Sequence, residues 1–409
     1  MTNDATTAGG PLAGVRMLDL STNLAGPYCS QTLGDLGADI VKLEATTGDP
    51  TRRMGPPFKP TVSSHFMGVN RNKRGIAIDL SDPRGREVLL AVLEGVDVFL
   101  TALKPGSLEK LGIGYDDCLK ARFPRLVYCA ISGFGATGPY SSFPGYDPVG
   151  QAMGGVFGLT GEPDGPPVRG AAPVADMSAG LHAAIGILAA LRERDRSGRG
   201  QAIDIGLMDA TLPYLHPFHL YWMIGGAAYR PKRTGNRHPS AAPYEIYPTR
   251  DGHIVFCVVQ EHQFRRLCET LGRPELADDP RFRTNADRLA NVEALTEALT
   301  ALTRAQDSEP LTEKLLSVGV AAGAVLEVPD ILEHPQTRAR EMVIDRDDYK
   351  GFGFPLKFDR TPCDLQRGAP AFAEHTREVL AEAGLAGDAI DKLVADGVAR
   401  DGGDPDAPR

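Results

Sequence analysis

The chain is poor in cysteine: six in 409 residues (Cys29, Cys118, Cys129, Cys257, Cys268 and Cys363), with no Cys-x-x-Cys pair. That density and scatter argue against a disulfide framework or a cysteine zinc site and read as buried free thiols. The nine histidines form no His-Glu-x-x-His and no cluster at metal-ligand spacing, so no metal is expected. Basic charge is also short, with 44 Lys and Arg against 53 Asp and Glu and a net charge of -9. No bulk attraction to nucleic acid follows from that balance. The longest mainly apolar run lies within residues 181–191, short of the roughly 18 residues that a membrane helix needs. Met1-Thr2-Asn3-Asp4 carries neither a basic nor an apolar leader segment, so a cytoplasmic, non-membrane protein is expected. The first strand-to-helix connection, Ser21-Thr22-Asn23-Leu24-Ala25-Gly26-Pro27, has no Gly-x-Gly-x-x-Gly. The nicotinamide dinucleotide fingerprint is therefore missing from the place where it acts.

What is present is ordinary globular composition, 42% hydrophobic and 24% charged, with enough chain for two or three domains. From residue 15 onward, short β-branched runs alternate with helical stretches. Strands are expected at 15–20, 39–43, 76–80, 96–100, 126–132 and 201–205, with helices at 27–36, 84–93 and 177–194. This alternation implies parallel βαβ units and a doubly wound sheet, an α/β fold. A strand at 253–259 and helices between 263 and 316 predict a second, smaller α/β domain. A last helix is expected at 374–384. The expected division is a frayed N-terminus at 1–10, a large Rossmann-like domain at 11–224, a small domain at 225–335, a return at 336–400 and a frayed tail at 401–409.

Residues 134–175 are rich in glycine and proline and too long for an idle connection, which makes them a candidate functional loop. Asp176 follows this loop and precedes the long helix. Aspartate is a favoured helix cap, and a carboxylate at a helix start is also available as a nucleophile. The residue types alone leave both roles open. Tyr146, in Gly145-Tyr146-Asp147-Pro148, is either a packing aromatic or a site residue. Lys104 and Lys110 follow an expected strand end, where a parallel sheet binds ligands, and suit phosphate as well as solvent.

These pieces resemble the class III CoA-transferase family, which includes formyl-CoA transferase, carnitine CoA-transferase and α-methylacyl-CoA racemase. The resemblance rests on Leu18-Asp19-Leu20, Ala25-Gly26-Pro27, Asp39-Ile40-Val41-Lys42-Leu43-Glu44, Asn72-Lys73-Arg74-Gly75, Lys104-Pro105-Gly106, Pro144-Gly145-Tyr146-Asp147, Leu159-Thr160-Gly161-Glu162-Pro163 and Gly235-Asn236-Arg237-His238-Pro239. Each is weak alone, but their order spans nearly the whole chain.

The resemblance implies that Asp176 is the catalytic nucleophile, acting through an aspartyl anhydride and an aspartyl-CoA thioester. It implies coenzyme A, as acyl-CoA, for a substrate. Contacts to it fall at Leu24, Ala25, Ile78, Ser81, Ala102, Leu103, Lys104, Lys110, Gly145, Tyr146 and Asp147. Arg237 and His238 are candidates to hold a second carboxylate of the acid. The racemase branch has histidine where this chain has Tyr146. A phenol of pKa ~10 is a poor proton carrier at neutral pH, which favours transfer over racemisation. Ala45 stands where the formyl-CoA branch has an arginine, leaving Arg71, Lys73 or Arg74 to supply the charge. Pro144 replaces a loop lysine, and His238-Pro239-Ser240-Ala241-Ala242 replaces a glycine run. These departures argue against formyl-CoA:oxalate transfer. The resemblance further implies an interlocked homodimer, for which the extended stretches 229–248 and 336–370 suit as linkers. The competing readings are a 2-methylacyl-CoA racemase and an acyl-CoA-binding protein without chemistry, in which Asp176 is only a cap.

Overall fold

The β-branched runs of the first half become parallel strands because successive side chains must enter two different cores. The computed structural model describes residues 9–59 and 62–403. Two compact units emerge. The first takes the chain up to Val156, then Gly170–Pro217, and again from Ala339 onward, while the second takes Phe157–Arg169 and Phe218–Arg338. The first stretch thus leaves this unit for 157–169 and ends at Pro217, earlier than the expected boundary at 224.

In the first unit the strands are β1 (Arg16–Leu20), β2 (Asp39–Glu44), β3 (Lys73–Ile78), β4 (Val98–Thr101), β5 (Val127–Ser132) and β6 (Ala202–Gly206). The helices that position the site are α1 (Ala25–Asp35), α2 (Pro83–Leu93), α3 (Asp147–Met153) and α4 (Val174–Ser197). The strands lie in the order β3-β2-β1-β4-β5-β6, all parallel, with the short strand Ala399–Arg400 added antiparallel outside β3. This is the doubly wound order, and its direction reverses between β1 and β4. Ligands of such sheets bind in the crevice beyond the carboxyl ends of the two strands at that reversal.

Alternation within each strand assigns the faces. Leu18, Leu20, Val41, Leu43, Ile76 and Ile78 face α2 and the two last helices, Thr376–Glu382 and Gly387–Ala395. Met17, Ile40, Val98, Leu100, Val127 and Ile131 face α1 and α4. By length and composition α4, with 24 residues, could cross a membrane. Its buried alanines, Ala175, Ala179, Ala183 and Ala190, instead let it lie close on the sheet as a core helix. The second unit has a three-stranded antiparallel sheet in the order Ala321–Ala324, His253–Cys257, Tyr244–Pro248. Helices Glu261–Thr270, Val292–Thr303 and Ser308–Ser317 complete its core around Phe256, Phe264 and Leu299.

Several expectations shift. The third strand runs Lys73–Ile78, not 76–80, because both cations at its start are neutralised: Lys73 by Asp19, and Arg74 by Asp39, Glu378 and Glu382. The long helix starts at Val174, not 177, and extends to Ser197. The stretch 229–248, expected to be an extended linker, ends in a sheet strand, and 336–370 contains the hairpin Val343–Asp345 with Lys350–Phe352. The helix Gly387–Ala395 and the strand after it were not expected. Of the ends expected to fray, 1–8 and 404–409 lie outside the described residues. Inside them, Ala13 N–H donates to Gly10 O at 3.0 Å, and Asp401 accepts from Arg377 at 2.7 Å.

Candidate active site

Beyond the carboxyl ends of β1 and β4 lies a pocket of about 250 Å³. Its walls are residues 22–25 after β1, residues 102–105 after β4, the end of β5 with Gly133, residues 143–146, and Asp176 with Leu207. The switch point of the sheet and the most informative carboxylate of the sequence thus meet in one place. A larger apolar cleft of about 590 Å³ lies between α1, α4 and residues 342–363. Its guanidinium, Arg71, is already engaged by Asp35 at 2.6 Å, Tyr349 Oη at 2.7 Å and Phe352 O at 2.6 Å. The one guanidinium of the cleft wall is thus already engaged, whereas the smaller pocket holds the Asp176 carboxyl.

Asp176 is the third residue of α4, not its cap; Pro173 occupies the cap position and supplies no side-chain bond. The capping is done from elsewhere. Asp147, the buried first residue of α3, accepts from Ala175 N–H at 2.9 Å and Asp176 N–H at 3.2 Å, and from Gln151 Nε2 at 2.6 Å. The free amides of the first turn are thereby satisfied by a distant carboxylate, and the Asp176 side chain is left to the pocket. Burial, and then the neighbouring Asp147 charge, push the Asp176 carboxyl up to about 7. The N-terminus of α4 works in the other direction and favours its ionised form.

A glycine of the candidate loop, Gly145, has a geometric reason in its contact with Gly133 at the end of β5. Gly133 and Gly145 pass so closely that a Cβ on Gly133 would stand 2.6 Å from the Gly145 Cα. Any side chain there would push residues 143–146 away from the end of β5 and open the pocket wall. Gly133-Phe134-Gly135-Ala136-Thr137-Gly138 has Gly-x-Gly-x-x-Gly spacing, which the reading of the first connection alone overlooked. It runs into turns, with the next helix starting only at Asp147, so it lacks the strand-to-helix context of a dinucleotide fingerprint.

Of the candidate residues, the pocket brings together Leu24, Ala25, Ala102, Leu103, Lys104, Gly145, Tyr146 and Asp176. Ile78, Ser81, Lys110 and Asp147 are not in its wall. Ile78 is buried in the α2 core, Ser81 binds Asp79 in a turn at 2.6 Å, and Lys110 is exposed at the end of the helix Ser107–Lys110. Arg237 and His238 belong to the second unit. Arg237 pairs with Glu245 at 2.9 Å and also with Glu293, while His238 stacks on Tyr244 with centroids 4.7 Å apart. Both are occupied in holding their own turn. Arg71, Lys73 and Arg74, named as substitutes for the missing arginine, are likewise spent on carboxylates: the buried Asp35 and Asp19 and, for Arg74, the part-exposed Asp39. Lys104, exposed in the pocket wall, makes no ion pair among the described residues.

The sequence reading missed Thr22, Asn23, Ser132 and Leu207 as wall residues. Ser132 Oγ is buried without a hydrogen-bond partner. Its position at the last residue of a strand at the ligand end was the available signal. Among the described residues, no group of three or more His, Cys, Asp or Glu is arranged to hold a metal ion.

A parallel sheet with its crevice at the switch point, and a carboxylate at a helix start inside that crevice, form a candidate ligand site. Residues 12–376 match the model of CoA-transferase family III. The succinate–glutarate CoA-transferase of Agrobacterium fabrum is 36% identical over 384 residues, covering 91% of this chain and 95% of that protein. The acetyl-CoA:oxalate CoA-transferase of Acetobacter aceti is 38% identical over 368 residues, covering 89% and 94%. The crystal structure of a CAIB/BAIF family protein from Brucella suis superposes with a TM-score of 0.84 at 39% identity, covering 92% of this chain and all of that one. The chain belongs to CoA-transferase family III.

Proposed function

We propose that this enzyme moves coenzyme A from an acyl-CoA to a small dicarboxylic acid, with Asp176 as the nucleophile. The observation that carries this reading is the Asp176 carboxylate, relieved of capping by Asp147, standing in the switch-point pocket. An Asp176 oxygen attacks the thioester carbonyl, the C–S bond breaks, and CoA leaves as thiolate with the electron pair, giving a mixed anhydride. The thiolate then attacks the Asp176 Cγ, and the donor acid departs as a carboxylate, leaving an aspartyl-CoA thioester. The acceptor carboxylate attacks that carbonyl and expels the thiolate again. Thiolate attack on the acceptor's acyl carbon forms the product and frees Asp176. No net proton is consumed, so the site needs no strong base. The exposed phenol of Tyr146, in place of a histidine, fits transfer and not racemisation.

Relatives named for succinate and glutarate, oxalate, mesaconate and D-citramalate support a dicarboxylic acceptor, and several are named for succinyl-CoA as donor. The test is direct: purified enzyme with succinyl-CoA and each of these acids in turn, product acyl-CoA being separated and weighed. Transfer to at least one acid is expected; α-proton exchange on a 2-methylacyl-CoA without any transfer would hand the site to the racemase reading. Lys104 supports the CoA end as an unpaired cation in the wall. Lys104→Gln is expected to raise KM for acyl-CoA about tenfold, with kcat unchanged and the salt dependence of KM weakened.

A homodimer, interlocked as the resemblance implies, is part of this reading. Its support is apolar surface that a lone chain leaves in water: Trp222, Met223 and Ile224 on the helix Phe218–Gly225, and Leu181 and Ile185 on α4. Light scattering is expected to give twice the chain mass of 43.7 kDa at micromolar concentration; a single chain mass would contradict it.

A further inference from the structure

Three of the motifs that carried the resemblance contain charged residues in strands where burial is complete. Asp19 of β1, Lys42 of β2 and Lys73 of β3 are each 0% exposed. Parity puts all three on the α1 face: Asp19 pairs in register with Lys42, and Lys73 with Ile40, which faces α1. They form a charged stripe across adjacent strands, with Asp19 and Lys42 in the later halves of β1 and β2 and Lys73 at the first residue of β3, beneath the start of α1. Lys73 Nζ meets Asp19 Oδ2 at 3.1 Å, and Lys42 Nζ meets Asp49 Oδ2 at 2.9 Å.

The same groups grip the chain above them. Lys42 donates to Ser21 O at 2.8 Å, and Lys73 donates to Pro27 O at 2.9 Å and Asn70 Oδ1 at 2.9 Å. Asp19 accepts from Ser21 N–H at 3.0 Å and from the hydroxyls of Ser21 and Ser30. Gly26 completes the fit, since a Cβ there would stand 2.3 Å from the Ser21 Cβ. Both ends of the β1–α1 connection are thus fixed from below, and its middle, Thr22 to Ala25, is a wall of the pocket. Asn23 holds a left-handed φ of 65° within that wall.

Buried ion pairs are a poor way to gain stability, because apolar residues of similar volume often do as well or better. Their return here lies in the main-chain groups they hold. We infer that Asp19, Lys42 and Lys73 are positioning residues, a buried ionic stripe that keeps the β1–α1 connection in the shape against which the CoA thioester lies. Burial acts against ionising Asp19, but Lys73 and Lys42, with the two serine hydroxyls, outweigh it and hold the carboxyl below its usual range. The stripe therefore stays charged at neutral pH on its acidic side.

This inference rests on the CoA-transferase reading of the pocket. The test compares Asp19→Asn, Asp19→Ala, Lys42→Met and Gly26→Ala, the last leaving every charge in place. Calorimetric titration with free CoA and steady-state kinetics are run well below each variant's melting temperature. Asp19→Ala, Lys42→Met and Gly26→Ala are expected to weaken CoA binding and raise acyl-CoA KM by about tenfold or more, with kcat within about threefold. Asp19→Asn, which keeps an acceptor for Ser21 N–H, is expected to lose less. Variants that melt earlier but bind CoA as the parent does would overturn the inference and leave the stripe a structural feature. If the charge variants do not fold, Gly26→Ala decides by the same readout. A parent enzyme that binds no CoA would overturn the reading of the pocket itself, a different failure.

Discussion

Asp176→Ala is expected to abolish CoA exchange, by about 10⁴-fold or more, while CoA affinity stays within a few fold. The proposed nucleophile is lost, but the walls formed by residues 22–25 and 102–105 are intact. Stability separates this account from the one in which Asp176 is a cap. Loss of a capping aspartate costs about 0.5–2 kcal/mol. Here Asp147 does the capping, and Asp176 has a carboxyl raised to about 7 by burial and by Asp147. A raised carboxyl contributes stability that is fully present below its unfolded pKa near 4 and is lost as pH rises through 7. Asp176→Asn, which cannot ionise, is therefore expected to melt higher than the parent at pH 8, by about 2 °C or more, and to keep only about a third of that advantage at pH 5. Thermal melts at both pH values check the sign; a melting point at pH 8 no higher than the parent's would contradict the raised carboxyl.

The same raised carboxyl sets the pH profile. On the proposed mechanism Asp176 attacks in its ionised form, so kcat/KM is expected to rise with pH through about 7 and to stand about 100-fold below its plateau at pH 5. Asp147→Asn removes the second cause of the shift and keeps an oxygen to accept from Ala175 and Asp176 N–H. The rising limb is then expected to move to lower pH, with the plateau rate retained. An unmoved limb would show that Asp147 positions α4 without acting on Asp176 through its charge. Stopped assays with a pH-independent detection of product acyl-CoA measure both profiles.

Periodicity made the doubly wound sheet legible, because β1, β2, β4, β5 and β6 each carry aliphatic residues at strand spacing between turn and helix signals. It failed at β3, where Lys73 and Arg74 open the strand. Local pattern has no way to register that Asp19, far off in sequence, neutralises Lys73, or that Glu378 and Glu382 reach Arg74. The long helix was found but its start was misplaced for the same reason. Asp176 next to an apolar run looks like a cap, and the true cap, Asp147, comes from another helix. Within the site, Lys104 followed from a strand end, while Leu24, Ala25, Ala102 and Leu103, which also line the crevice, came from the resemblance. Ile78 and Ser81 came from the resemblance alone and Lys110 from the strand end as well, and the pocket wall includes none of them. Arg237 and His238 looked free because their partners, Glu245, Glu293 and Tyr244, become neighbours only once the second unit folds.

The central claim is that Asp176 becomes covalently bound to CoA. Intact-protein mass spectrometry after brief mixing with succinyl-, acetyl-, propionyl- and 2-methylacyl-CoA tests it most directly. The account predicts a mass gain of CoA less one water with at least one donor. The gain should map to the peptide carrying Asp176 and be absent from Asp176→Ala. An enzyme that turns over acyl-CoA and acid with no such adduct, or with the adduct on another residue, would contradict it.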